Sequence, residues 1–140
     1  MKYYVAEILL RHNNIDKAEV LIEKHLNKVR KDIMRKREGS FLRLLGEVQS
    51  KRNESDSAIK TLKEAIRILN EVENPRQLWQ AHSSFASAFD KMERHSEAQE
   101  QWGAAAGVIQ KTAHGLKDRE LREGFPKAEP IRQILSKAEG

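Results

Sequence analysis

The chain has 140 residues, of which 39% are hydrophobic, 6% aromatic and 34% charged, with a formal charge of +5 and no cysteine. That length suits one domain with a usable core, and the composition fits a helical, water-facing protein better than a β-sandwich or a disordered chain, while the missing cysteines exclude a disulfide framework and a thiolate metal site. The opening Met1-Lys2-Tyr3-Tyr4-Val5-Ala6-Glu7 meets a carboxylate before it can build a signal-peptide core, and no apolar run approaches membrane-spanning length, so a cytoplasmic setting is expected.

From Tyr3 to Arg11 the apolar residues Tyr4, Val5, Ile8 and Leu9 sit at helical spacing, and Asn13-Asn14 breaks the run. A second helix carries Ala18, Leu21, Ile22, His25, Leu26, Val29 and Ile33 as one stripe, with an end expected near Gly39. The third carries Phe41, Leu44, Leu45 and Val48 and stops at Asn53. The fourth carries Ala58, Ile59, Leu62, Ala65, Ile66, Leu69 and Val72, and Pro75 punctuates its end. The fifth has Leu78, Ala81, His82, Phe85, Ala88, Phe89 and Met92 on one face, followed by a turn at Glu93-Arg94. Ser96, three residues before Gln99, has capping-box spacing for the last long helix, whose stripe is Ala98, Trp102, Ala105 and Ile109. Gly103 and Gly107 within it suit close helix packing. After Gly115 the tail runs through Phe125-Pro126 to a short amphipathic segment with Pro130 at its start and Ile131, Ile134 and Leu135 on its face.

The spacing repeats. Ala18, Ala58 and Ala98 stand forty residues apart, and the same step relates Ala6, Gly46 and Ala86, then Val5, Leu45 and Phe85, then Ile22, Leu62 and Trp102. Small residues fall on small and large apolar residues on large, so small side chains let paired helices approach and large ones fill the gaps. Leu45, Gly46, Ala58, Leu62 and Ala65 in the middle unit, and Phe85, Ala86, Phe89, Ala98, Trp102 and Ala105 in the third, resemble tetratricopeptide (TPR) repeats in a long-helix variant. The first unit matches through Val5, Ala6, Leu9, Ala18 and Ile22, with His25 where a small residue is expected. The resemblance implies an all-α fold: three tandem helix-turn-helix hairpins over about 3–38, 39–75 and 76–115, stacked as a short right-handed α-solenoid. Residues 116–140 then form a segment that caps the last apolar face.

In that family the first helix of each hairpin lines a concave groove that receives a partner segment. The faces opposite the core stripes are Tyr3, Glu7, Leu10 and Arg11; then Ser40, Arg43, Glu47, Ser50 and Lys51; then Gln80, Ser83, Ser84, Ser87 and Lys91. Arg11, Lys51 and Lys91 recur at the forty-residue step, and such cations either meet acidic groups of a partner or simply favour the helix C-terminus, worth about 0.3–1 kcal/mol each. The Lys/Asn clamp with which some family members hold a terminal carboxylate is missing from these faces.

The basic run Lys28-Val29-Arg30-Lys31 and Arg35-Lys36-Arg37, placed at the end of the second helix, is a nucleic-acid signature, but Asp32 interrupts it and stacking aromatics are missing nearby. The five histidines lack zinc-ligand spacing, His25 and His82 fall on core stripes, and no nucleophile elbow, Walker loop or dinucleotide fingerprint is present. No metal, cofactor or catalyst is expected. The reading is therefore a protein-interaction scaffold that holds a peptide or partner protein with acidic groups. The alternative is a regulatory or self-assembly segment of a larger bacterial signalling protein, ATPase- or cyclase-linked, which Leu121-Arg122-Glu123 and Phe125 ahead of Pro130-Ile131 also resemble. In it, copies pair through the apolar first helix, where Tyr3, Tyr4, Val5 and Ile8 have no preceding repeat to cover them. Nucleic-acid binding through residues 28–37 ranks third, and no membrane contact is expected.

Overall fold

Apolar residues at three- and four-residue steps make helices, and helices are what this chain forms. The computed structural model describes residues 2–31, 35–116 and 118–140, with the side chains of all but Lys2, Tyr3, Val29, Arg30, Lys31 and Lys36. These residues form α1 (Lys2–Arg11), α2 (Ile15–Lys31), α3 (Arg35–Lys51), α4 (Ser55–Glu71), α5 (Pro75–Lys91), α6 (His95–His114), α7 (Arg119–Gly124) and α8 (Ile131–Ala138), with a 3-10 turn at Phe125–Lys127. No strand occurs among them, and the chain is all-α. The stripe positions Val29 and Ile33 lie outside the described side chains.

The joints between paired helices share one chemistry. Asn13, Asn53 and Glu93 adopt the left-handed conformation, with φ of 62°, 62° and 59°. The next N–H in each case returns five residues, from Asn14 to the Leu9 carbonyl, from Glu54 to Gln49 and from Arg94 to Phe89, at 2.8, 2.8 and 2.9 Å. These are Schellman closures, which satisfy the last carbonyls of a helix. The following helix begins at once, because Ala18, Ala58 and Ala98 donate to the carbonyls of Asn14, Glu54 and Arg94. Glu73, at φ 50°, closes α4 in the same way. Pro75 opens α5, where its missing N–H leaves no bond unmade. The capping box expected from Ser96 and Gln99 is not used: α6 is capped by the backbone of Arg94 with no side-chain bond, and Ser96 already lies inside the helix.

Contacts divide the chain into two compact units, residues 1–74 and 75–140. In the first, α1 packs on α2, α3 on α4, and α3 is seated against α2 and, less extensively, α1. Ala6, Ala18, Ile22, Leu44, Val48, Ala65 and Ile68 are closed to solvent in its core. A Cβ added at Gly46 would lie 2.5 Å from Leu62 Cγ, so the glycine permits the close approach of α3 and α4 that its spacing predicts. Gly39 corrects the sequence reading. It ends no helix but sits inside α3, where an added Cβ would be 2.7 Å from Leu69 Cδ2. A glycine before a new apolar run reads as a stop, and here the same absence of a side chain admits a neighbouring leucine.

α1 supplies a second correction. Tyr4, Val5 and Ile8, expected on the core stripe, are exposed, whereas Leu10, assigned to the opposite face, is buried beside Ala6. Ala6 and Leu10 are four residues apart, so the buried face of α1 is turned from the one its larger residues suggest.

In the second unit α5 packs on α6 and α8 on α6. Ala81, Ala86, Ala98, Ala105 and Ile109 are buried, and Phe85 stacks on Phe89 with centroids 4.5 Å apart. The tail packs through Ile131 and Ile134 of α8 and through Phe125, which meets Trp79 of α5 edge-on at 5.5 Å. Gln99 Nε2 donates to the carbonyls of Lys137 and Ala138 at 3.1 and 2.6 Å, capping the C-terminus of α8. Gly103 and Gly107 face open space: a Cβ at either meets nothing within 4 Å, so neither serves the helix packing expected of it among the described residues.

Candidate partner-binding site

Glu7 on α1 and Arg43 on α3 are thirty-six residues apart in sequence and meet across the first unit. Arg43 is 4% exposed. Its guanidinium donates to Glu47 Oε1 at 2.7 Å and to Glu7 Oε2 at 3.1 Å, a fork that only arginine offers to two carboxylates at once. Arg11 reaches the other Glu7 oxygen at 3.5 Å from an exposed position. These residues with Leu10 and Lys51 line a cavity of about 270 Å³. Its walls carry three cations, Arg11, Arg43 and Lys51, against the two carboxylates of Glu7 and Glu47, so the site is net positive.

The groove residues of the first unit therefore divide by role. Arg43 and Ser40 are buried, Glu7, Glu47 and Ser50 are half-buried, and Arg11 and Lys51 are exposed at the last positions of α1 and α3. The side chain of Tyr3 lies outside the described residues. Burial of Arg43 was not legible, because one of its two carboxylate partners, Glu7, lies one hairpin away.

In the second unit Gln80, Ser83 and Ser84 are half-buried, and Ser87 and Lys91 are exposed, on α5. Ser84 Oγ donates to the Gln80 carbonyl at 3.0 Å, inside its own helix. Gln80 Oε1 is buried with no hydrogen-bond partner among the described residues. At the far end of α5, Trp102 Nε1 donates to Asp90 Oδ2 and His95 Nδ1 lies 3.0 Å from Asp90 Oδ1. The indole bond first, and the imidazole second, hold the Asp90 carboxyl below its ordinary value. Lys137 Nζ sits 4.7 Å over the Trp102 ring, bringing the tail to the same place.

The basic run is placed differently from its expectation. Arg35, Lys36 and Arg37 open α3 and do not end α2. Arg35 donates to Glu71 at 2.7 Å and to Glu38 at 3.2 Å, and the Glu71 bond raises its affinity for its proton. Half-buried His25 stacks on Phe41 with centroids 6.0 Å apart, and His82 is set against Gln101 at 2.7 Å, where burial lowers its pKa. Among the described residues no group of three or more His, Asp or Glu side chains is arranged to hold a metal ion. No described helix is long and apolar enough to cross a membrane.

Compared with known proteins, the chain matches no family model, no curated protein and no solved structure.

Proposed function

We propose that this chain is a protein-interaction scaffold of the tetratricopeptide type, working in the cytoplasm, whose first unit holds an acidic peptide segment against the inner faces of α1 and α3. The observation that carries the reading is the Glu7–Arg43–Glu47 cluster. It spends the buried guanidinium on intramolecular carboxylates and leaves Arg11 and Lys51 as exposed cations at the edge of the same cavity. A buried ionic floor with exposed cations at its rim suits an extended or helical segment bearing Asp or Glu, read by side-chain charge. Nucleic-acid binding through residues 28–37 is the weaker reading, since Arg35 is committed to Glu71 and Glu38.

Panning a displayed random-peptide library against the full chain tests this. Enriched peptides should carry Asp or Glu, and Arg11→Glu with Lys51→Glu should lose them while leaving the far-ultraviolet circular dichroism unchanged. Enrichment that is indifferent to both substitutions, or none at all, would remove the groove from consideration.

A further inference from the structure

The tail encloses a cavity of about 280 Å³ in the second unit, and none of the groove residues lines it. Its wall on α6 follows from helical spacing: Ile109 and Ala113, four residues apart, are buried, while Gln110 and His114, each one position further on, are exposed. α6 therefore gives the cavity an apolar floor and N–H donors at its mouth. Pro126 of the 3-10 turn and Leu135 of α8, both half-buried, extend the floor. Exposed Arg122 of α7 completes the mouth, and no lining residue is acidic.

Arg122 is set apart by its lack of a carboxylate. In the same unit Arg94, Arg119 and Arg132 each hold a carboxylate three or four residues away, on Glu97, Glu123 and Glu129. On α7 itself Asp118 accepts from the Leu121 amide and Glu123 is taken by Arg119, so the Arg122 guanidinium bonds no described residue. A cation without a carboxylate, set over an apolar floor, selects a ligand with two opposite parts, one anionic group and one aliphatic chain. We propose that this cavity binds an aliphatic monocarboxylate of medium chain length. Its chain lies on the floor and its carboxylate on Arg122, with Gln110 and His114 donating beside it. The cavity takes roughly nine water-sized groups, so a chain of about six to eight carbons fills it with the carboxylate at the mouth. A free acid suits this floor better than a peptide terminus does. The last amide N–H of a peptide needs an acceptor, the aliphatic floor side chains supply none, and the carbonyls of Lys111, Thr112 and Ala113 already accept from the Gly115 and Leu116 amides.

Octanoate is the probe, titrated into the full chain at neutral pH and followed by amide chemical shifts. Saturable shifts should gather at Ala113, His114, Arg122 and Leu135, with a dissociation constant on the order of 1 mM, as for a ligand of about ten heavy atoms. Hexanoate should bind about 15-fold more weakly, since each methylene lost costs roughly fourfold. Octanamide, equal in length and uncharged, should bind at least tenfold more weakly than octanoate. Arg122→Gln, at an exposed position, should weaken octanoate at least tenfold and leave octanamide where it was. Octanoate shifts centred on another surface, equal affinity for octanoate and octanamide, or binding indifferent to Arg122→Gln overturns the proposal, as does no saturation at about twenty times the expected constant. So does a leucine-ended peptide that saturates these amides at lower concentration than octanoate, which would assign the cavity to the C-terminus of a partner chain.

Discussion

In the second hairpin Leu44 and Val48 are closed off completely, whereas Tyr4 and Ile8, one period earlier on an equivalent helix, are about half exposed. The turns are alike, the small residues Ala6 and Gly46 occupy the same position, and the side chains are comparably apolar. What differs is the neighbour. In a repeated fold the pattern on a helix specifies a face that can be buried, and the adjacent hairpin decides whether it is. The same comparison separates Arg43, held by Glu7 of the preceding hairpin, from Arg11, which bonds the same carboxylate in the open.

The largest test of this contrast is truncation at matched positions. Leu44→Ala should cost about 2–5 kcal/mol, the range for a fully buried leucine, and Tyr4→Ala less than about 0.5 kcal/mol, as for an exposed residue, in urea unfolding. Comparable losses at both sites would mean that α1 is covered in solution. Next comes the helix contact at Gly46: Gly46→Ala should destabilise by about 1–3 kcal/mol through overpacking on Leu62, with a smaller penalty when Leu62→Ala is already present. The turns give an opposite sign. Glu93 holds a left-handed φ that glycine adopts freely, so Glu93→Gly should stabilise by about 1 kcal/mol, while Asn13→Gly, where asparagine already tolerates the conformation, should change little.

The smallest effect expected is a pH dependence of the second unit. Burial lowers the His82 pKa from its ordinary 6.5, the Gln101 bond opposing it, so the unfolded chain binds a proton more readily there. The stability that neutral His82 permits is full above about pH 6.5 and declines as the pH falls toward its folded value, because protonation then favours unfolding. Asp90, also lowered, adds a decline only in the more acidic carboxylate range. His82→Gln should flatten the near-neutral slope and leave the acidic one, measured by unfolding midpoints from pH 8 downward.

Much of the fold was legible because the repeat is a packing code. Ala18, Ala58 and Ala98 are all buried, and Asn13, Asn53 and Glu93 all turn the chain. Gly39 was misread because a missing side chain serves a turn and a close contact equally well. The buried face of α1 was misread because its largest residues are not the ones its neighbours reach. The ion pairs of Arg43 and Arg52 and the meeting of Trp79 with Phe125 depend on separations that no local spacing encodes. For the site, the exposed rim of Arg11 and Lys51 was readable and the buried ionic floor beneath it was not.

The Schellman turns also impose a rule on chain length. The return bond from Asn14 to Leu9 is followed directly by the bond from Ala18 to Asn14, with no residue to spare, so the rotational phase of α2 is locked to that of α1. One inserted residue would swing the following stripe by about 100° and carry Ala18, Ile22 and Leu26 off the core. A complete hairpin inserted at the same joint would preserve every phase. Length in this protein comes in quanta of a whole hairpin, and viable insertions and deletions in the helical joints should be counted in that unit.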